Sequence, residues 1–478
     1  MKFRTPNRFP DLAALHARLG ELAPDLDLEE VPDDPDPLAA PLERGGWRLS
    51  NRFVVQPMEG WDGTADGGAS PDTLRRWRRF GESGAALIWG GEAFAVREDG
   101  KANPNQLCHA DRGSTLSTLA ALRDALLAGH REIGGEAPVD WRLGLQLTHS
   151  GRWSRPLAGP APRIAFRHPV LDPRVGVEDD AVLLSDAELE GIAERYVEVA
   201  GCAREVGFDF VDVKACHGYL LHELLAARSR AGSYGGDLGG RSRLMRRIIE
   251  EIGRTAPGLD VAVRLSVTDV VPHRKGKDGA GEPDWSAGAP YEHGFGLDPR
   301  QPDQPDWSEP LALIEQLVGD GVRWFNLTIG SPYWCPHIQR PASFPPSDGY
   351  PPPEDPLAGV AAHLRAVRRV REAQPSIGLV GSGWTYLQEW LPAIARHEVA
   401  AGHVDGVGLG RMILSYPDLP RDVIARRAMP KRAVCRTFSD CTTAPRKGLP
   451  SGCYPLDPHY KEKPEATRLK ELKKEVGR

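Results

Sequence analysis

Eight short apolar runs punctuate the chain, at residues 52–56, 85–89, 141–147, 208–213, 259–267, 322–329, 377–382 and 404–409. The run 208–213 is continuously apolar, as a strand buried on both faces is. Helical patterns separate the runs, at 73–80, 116–127, 189–206, 311–318 and 357–373, and again after the Gly-rich turn SYGGDLGGRSR. Ser185 and Glu188 stand three apart before the 189–206 pattern, the spacing of a capping box. Strands alternating with helices predict a parallel sheet of β/α units. Eight such units predict a closed (β/α)8 TIM barrel. An open doubly wound sheet would place a GxGxxG turn after an early strand. The first strand here ends in PMEGWDG, which argues against it.

Around this frame we expect three parts. Residues 1–45 form an N-terminal extension, with a short helix in DLAALHARLGEL and the acidic, Pro-rich EEVPDDPDPL after it. Residues 46–430 form the barrel, and 431–478 form a Cys-containing C-terminal tail with a terminal charged helix. One connection, 268–306, is far longer than a usual loop and rich in Gly, Pro and Asp, as substrate lids and loop insertions are. A net charge of −6 gives no reason to expect nucleic acid or an anionic membrane as partner. No apolar run reaches the length of a membrane span, and MKFRTPNRFPDL lacks the apolar core of a signal peptide. We therefore expect a cytoplasmic protein acting on a small molecule, with a homo-oligomer left open. Seven cysteines in 478 residues make no disulfide framework.

Chemistry gathers where the strands end, which is where barrels carry their active sites. After strand four come Lys214, His217 and Tyr219, two donors and a phenol able to supply a proton. Strand three ends at Gln146, whose amide suits a heterocycle carbonyl, with His149 the weaker candidate beyond it. Arg264 lies inside the fifth apolar run. It pairs either with an internal carboxylate or with an anionic cofactor ring, and the sequence does not choose. Strand seven closes with Gly383, and strand eight with Gly410 and Arg411. Glycine turns with an arginine after strands seven and eight suit a phosphate. Cys435, Cys441 and Cys453 cluster in the tail with spacings that match no common metal or cluster motif, so no metal is expected there.

The stretches NRFVVQPM, GEAFAV, LQLTHSGR, DVKACHGYLLHELL with YGGDLGGRSR, VRLSV and GVGLGRMI occur in one order between residues 47 and 428. In these the chain resembles the Old Yellow Enzyme family of NADH:flavin oxidoreductases, nearest the barrel domain of bacterial 2,4-dienoyl-CoA reductase-like members. The resemblance implies an FMN-binding (β/α)8 barrel reduced by NAD(P)H. It implies that Pro57, Met58 and the backbone near Glu59 lie against the flavin, with Ala93 close by. Gln146 would bond the pyrimidine part of the ring and Arg264 would sit near its N1–C2 edge. Gly383, Gly410 and Arg411 would hold the phosphate. Tyr219 matches the proton-donating tyrosine, and His217 the second residue gripping a substrate carbonyl oxygen.

Three departures are specific to this chain. Lys214 stands where the first carbonyl-gripping residue is usually His. Glu59 stands where a Thr, Cys or Ala is common. The tail lacks one cysteine of the family's iron–sulfur site. The expected activity is hydride transfer from NAD(P)H through FMN to an activated C=C bond. The alternatives are a flavin-dependent amine dehydrogenase or demethylase and a non-catalytic FMN-binding barrel.

Overall fold

The computed structural model describes residues 3–134, 140–347 and 349–475. The eight strands are β1 (Phe53–Val55), β2 (Leu87–Ile88), β3 (Arg142–Thr148), β4 (Phe210–Ala215), β5 (Asp260–Ser266), β6 (Trp324–Thr328), β7 (Gly378–Gly381) and β8 (Gly406–Leu409). All are parallel, in sequential order, and β8 pairs with β1 to close the barrel. Parallel strands need crossover connections, and here helices supply them on the outside. They are α1 (Pro71–Glu82), α2 (Arg112–Glu132), α3 (Asp186–Val206), α4 (Leu238–Thr255), α5 (Ser308–Gly319), α6 (Pro356–Ala373), α7 (Leu391–Ala400) and α8 (Leu419–Ile424). The structure thus bears out the expected (β/α)8 TIM barrel.

Local chemistry explains the helix starts. Ser70 and Thr73 cap α1 reciprocally, with Pro71 at the first helical position. Ser185 and Glu188 form the predicted capping box of α3, which ends at Gly207 in the left-handed region. Helix α7 was not read from the sequence; its approach is a 3₁₀ run from Trp384 to Trp390, which blurs the 3.6-residue period. Strand β4 runs two residues past the apolar stretch. Lys214 is therefore a strand residue, directly opposite Arg264 of β5. A charged side chain that faces the cavity leaves the backbone ladder intact.

A hairpin, Leu42–Arg44 with Trp47–Leu49, runs through residues 45 and 46 and covers the starts of β4 to β6. Trp47 stacks on Trp324 at 4.8 Å, meets Phe210 at 4.6 Å, and donates its indole N–H to Asp260 at 2.7 Å. The helix Leu12–Leu22 buries Leu15 and Leu19, and Arg18 pairs with Asp355 at the start of α6. Among the described residues no helix is long and apolar enough to cross a membrane.

One buried cation ties the top of the barrel together. Arg76 of α1 is 6% exposed. Its guanidinium donates to Asp62 at 2.8 and 3.1 Å, to Glu92 at 2.6 Å, and to the carbonyls of Met58 and Gly91 at 3.0 and 3.2 Å. Glu92 also accepts the Gly60 N–H at 2.8 Å. The loops after β1 and β2 are thus fixed to α1 and to each other. Removing one partner of a buried charge network leaves uncompensated charge, at a cost of about 3–5 kcal/mol. We expect Arg76→Ala to lose stability of that order in urea unfolding, with the slope unchanged. A loss below about 1 kcal/mol, the value of a surface pair, would show that the cluster does not hold the loops.

Candidate active site

The C-terminal ends of the strands surround a cavity of about 790 Å³. Eleven of the twelve residues assigned to flavin or substrate from the sequence line it: Pro57, Met58, Glu59, Gln146, Lys214, His217, Tyr219, Arg264, Gly383, Gly410 and Arg411. The twelfth, Ala93, does not. It lies in a buried strand, Ala93–Ala95, paired at Gln146, and its carbonyl accepts from Gln106 at 2.7 Å. His149 is also outside the cavity. Its ring accepts the Gly151 N–H at 3.1 Å and faces Asp99 at 3.4 Å, as a residue shaping its own turn does.

The turn after β4 carries His217 and Tyr219, with His217 and Gly218 in an uncommon conformation. His217 has φ 65° and Gly218 φ 79°. A non-glycine residue at positive φ persists only where its surroundings hold it. Here the His217 N–H donates to Ser266 at 3.1 Å, its carbonyl accepts from Ser331 at 2.7 Å, and the Gly218 N–H donates to His222 at 2.9 Å. A Cβ on Gly218 would lie 2.3 Å from the Trp334 ring, so no other residue fits there. The His217 ring meets the Gln339 amide nitrogen at 2.9 Å. Burial, aided by the charges of Arg264 and Lys214, holds its pKa well below the ordinary histidine value. The imidazole is neutral at physiological pH.

Tyr219 donates its hydroxyl proton to Glu59 Oε2 at 2.6 Å and stands 3.0 Å from the Tyr333 hydroxyl. Burial and the Glu59 charge push the phenol well above its ordinary pKa, so it stays protonated. The Lys214 ammonium sits over the Tyr219 ring, 3.6 Å from its centre. Burial lowers the Lys214 pKa, with Glu59 acting against it. Tyr333 in turn stacks on Trp153 at 4.3 Å.

Deeper in the barrel, Gln146 donates to Asp212 Oδ2 at 2.6 Å, and the Arg264 backbone N–H donates to Asp212 Oδ1, also at 2.6 Å. Burial raises the Asp212 carboxyl to about 6. Among the described residues no carboxylate bonds the Arg264 guanidinium itself, and its buried Nε has no partner. Arg264 therefore faces the cavity rather than an internal carboxylate. Arg411 donates one nitrogen to the Pro341 carbonyl at 2.7 Å, while its buried Nη1 is unpartnered. A Cβ on Gly410 would meet only Met58 Sδ, at 3.5 Å, whereas one on Gly408 would lie 1.9 Å from the Gln56 amide. Two buried, unsatisfied guanidinium donors beside bare backbone suit a ligand that carries an anion and a polar ring edge, and the donor set fits FMN.

Other wall residues escaped the sequence reading. Tyr333 and Gln339 follow β6, and the strand-end logic applied elsewhere would have found them. Cys441, Thr442 and Pro445 come from the tail, whose placement no local pattern announces. The tail is clamped on α1 by Asp457 with Arg75 and Arg79 at 2.9 and 3.1 Å, and by Asp72 with His459 at 2.8 Å. Its cysteines are free thiols, and among the described residues no group of His, Cys, Asp or Glu is placed to hold a metal.

Residues 37–282, just over half of the chain, match the NADH:flavin oxidoreductase / NADH oxidase family. The NADPH dehydrogenase of Bacillus subtilis (strain 168) is 29% identical over 241 residues, covering 48% of this chain and 64% of that protein. The chain's matches thus span less than two thirds of the length of such relatives. Two solved structures share the fold. A 2-naphthoyl-CoA reductase has a TM-score of 0.64 at 18% identity, covering 90% of this chain and 58% of that one. Histamine dehydrogenase from Rhizobium sp. 4-9 has 0.63 at 20%, covering 89% and 53%. On the extent of the family match, carried by a barrel with a flavin-suited cavity, the chain belongs to the NADH:flavin oxidoreductase / NADH oxidase family, an FMN-dependent one.

Proposed function

We propose that the protein is an oxidoreductase in which bound FMN carries hydride from NAD(P)H to the electron-poor carbon of an activated C=C bond. The observation that carries this is the convergence, on one cavity, of a protonated buried phenol, two donors from the same strand end and two unsatisfied arginines. Arg411, with the backbone at Gly383 and Gly410, holds the phosphate. Arg264 and the remaining amide donor of Gln146 bond the polar edge of the ring, and Pro57 and Met58 pack against its face. Lys214 and His217 donate to the substrate carbonyl oxygen, where charge grows during the reaction. Tyr219 protonates the neighbouring carbon. The 268–306 segment brings His273, Arg274 and Lys275 to the cavity mouth and serves as the substrate lid. Free thiols throughout suit a reducing, cytoplasmic setting, which also supplies NAD(P)H.

A second reading, amine oxidation, is favoured by one observation: Glu59 puts a carboxylate where a cationic amine or its proton could be received. Anaerobic bleaching separates the two. NAD(P)H bleaching supports the reductase, and bleaching by amines alone supports the dehydrogenase. A yellow protein inert to both is a carrier.

Losing a charge-assisted bond to phosphate costs about 1.5–3 kcal/mol, or roughly ten- to a hundredfold in affinity. Arg411→Ala should therefore purify flavin-depleted, and wild-type flavin occupancy in it would remove Arg411 from the phosphate site. Tyr219→Phe should keep flavin reduction by NAD(P)H while slowing reoxidation by an enone at least about tenfold. Stopped-flow absorbance at both steps checks this. Reoxidation at the wild-type rate with every alkene tried would exclude Tyr219 as the acid.

A further inference from the structure

Behind the turn that carries His217 and Tyr219 stands a second imidazole, outside the large cavity. His222 is buried in the short helix Leu220–Leu225 and does not line that cavity. Its Nδ1 accepts the Gly218 N–H at 2.9 Å. That bond fixes the tautomer: Nδ1 carries the lone pair, so the ring proton sits on Nε2. Burial lowers the pKa of the ring, which keeps it neutral and the lone pair available. The two amides of the strained turn are thus held by two side chains, that of His217 by Ser266 and that of Gly218 by His222. Glycine has the wider choice of backbone conformations, so the Gly218 amide is the one that most needs an anchor.

The other nitrogen of His222 faces the root of the long 268–306 segment. Nε2 lies 3.6 Å from Asp269 Oδ1, and neither atom has a hydrogen-bonding partner among the described residues. At that separation the carboxylate acts through its charge, favouring the tautomer that turns an N–H toward it. Asp269 also ties the segment to itself. Its backbone N–H donates to the Phe295 carbonyl at 2.8 Å, and its Oδ2 accepts the Phe295 N–H at 2.9 Å. Trp334 braces the same place. Its ring stacks on His222 with centres 6.4 Å apart, its indole N–H donates to the Val270 carbonyl at 3.0 Å, and its carbonyl accepts the His273 N–H at 2.8 Å.

We propose that His222 is a positioning residue, whose Nδ1 holds the Gly218 amide so that His217 and Tyr219 stand at the substrate, and whose tautomer is set by Asp269. The reactive turn and the segment that reaches the cavity mouth are joined through this one ring. This rests on the ene-reduction reading above and goes beyond it, since His222 and Asp269 act through the turn and touch no reacting atom.

The test exploits the two ends of the imidazole. His222→Asn keeps an acceptor at the place of Nδ1 and loses the group at Nε2. His222→Gln keeps a donor near the place of Nε2 and loses the acceptor at Nδ1. A role in packing alone would favour Gln, which is nearer to His in volume; a role in holding Gly218 favours Asn. The holoenzyme is reduced anaerobically with NAD(P)H and reoxidised with cyclohexenone. His222→Ala and His222→Gln should reoxidise at least about tenfold more slowly, the scale of a displaced reacting group. His222→Asn should stay within about threefold of the wild type. Hydrogen exchange of the peptide covering 216–220, read by mass spectrometry on the flavin-loaded protein, follows the turn without reference to activity. The Gly218 amide should exchange about fivefold faster in His222→Ala and His222→Gln, the loss of one hydrogen bond, and be protected in His222→Asn. Asp269→Ala should slow reoxidation in the wild type and add nothing in His222→Ala. Reoxidation at the wild-type rate in His222→Ala, better rescue by Gln than by Asn, or unchanged Gly218 exchange would each overturn the proposal, and full additivity of the Asp269 and His222 substitutions would overturn the part given to Asp269. Should His222→Ala fail to fold, the order of Asn and Gln decides alone. If no alkene reoxidises the wild-type flavin, the ene-reduction reading fails, and Gly218 exchange still decides whether His222 holds the turn.

Discussion

A single guanidinium, that of Arg76, fixes the upper rim on which the rest of the site depends. It sits inside α1, yet its partners are the loops after β1 and β2 and the backbone of Met58 and Gly91. A buried charge of this kind tolerates little displacement, because any partner that moves away leaves an uncompensated ion in a low dielectric. The position of Glu59, one residue beyond Met58, follows from that constraint. So does the attachment of the tail, which packs against the outer face of the same helix through Asp457 and His459.

The cavity is built around charges held in opposition. Lys214 and Glu59 face each other around the Tyr219 ring, and Arg264 lies opposite Lys214 across the β4–β5 ladder. Two cations in adjacent register positions of a buried sheet repel unless anions compensate. Asp212 supplies part of the compensation from within the barrel. The unsatisfied nitrogens of Arg264 and Arg411 mark where the remainder must come from a ligand. This balance explains how a departure from paired histidines is accommodated: the extra positive charge of Lys214 and the extra negative charge of Glu59 arrive together.

Most of the barrel was legible in the sequence. All eight strands fall within or beside their apolar runs, because a strand covered by helices on one side and core on the other must be continuously apolar. The residues at the strand ends were legible too, since polar side chains interrupting such runs have few structural uses. Gln146, Lys214, His217, Tyr219, Arg264 and Arg411 all reach the cavity. Ala93 pairs with Gln146 in the wall but does not line the cavity. Tyr333 and Gln339 follow the end of β6, where the same strand-end logic would have found them. Helix α7 was masked by the tight turns leading into it.

What the sequence by itself determined is the architecture and which polar groups stand at the strand ends. Both depend on local periodicity and on which side chains end which strand. Only the tertiary structure decided how those groups are partnered. The fate of Arg264 turned on whether a carboxylate from another strand reached its guanidinium or only its backbone. The state of Tyr219 turned on a carboxylate 160 residues earlier in the chain. The cavity's last wall came from a tail held by ion pairs to α1. Such pairings are set by distances of a few ångströms between segments far apart in sequence, and no periodicity within either segment encodes them.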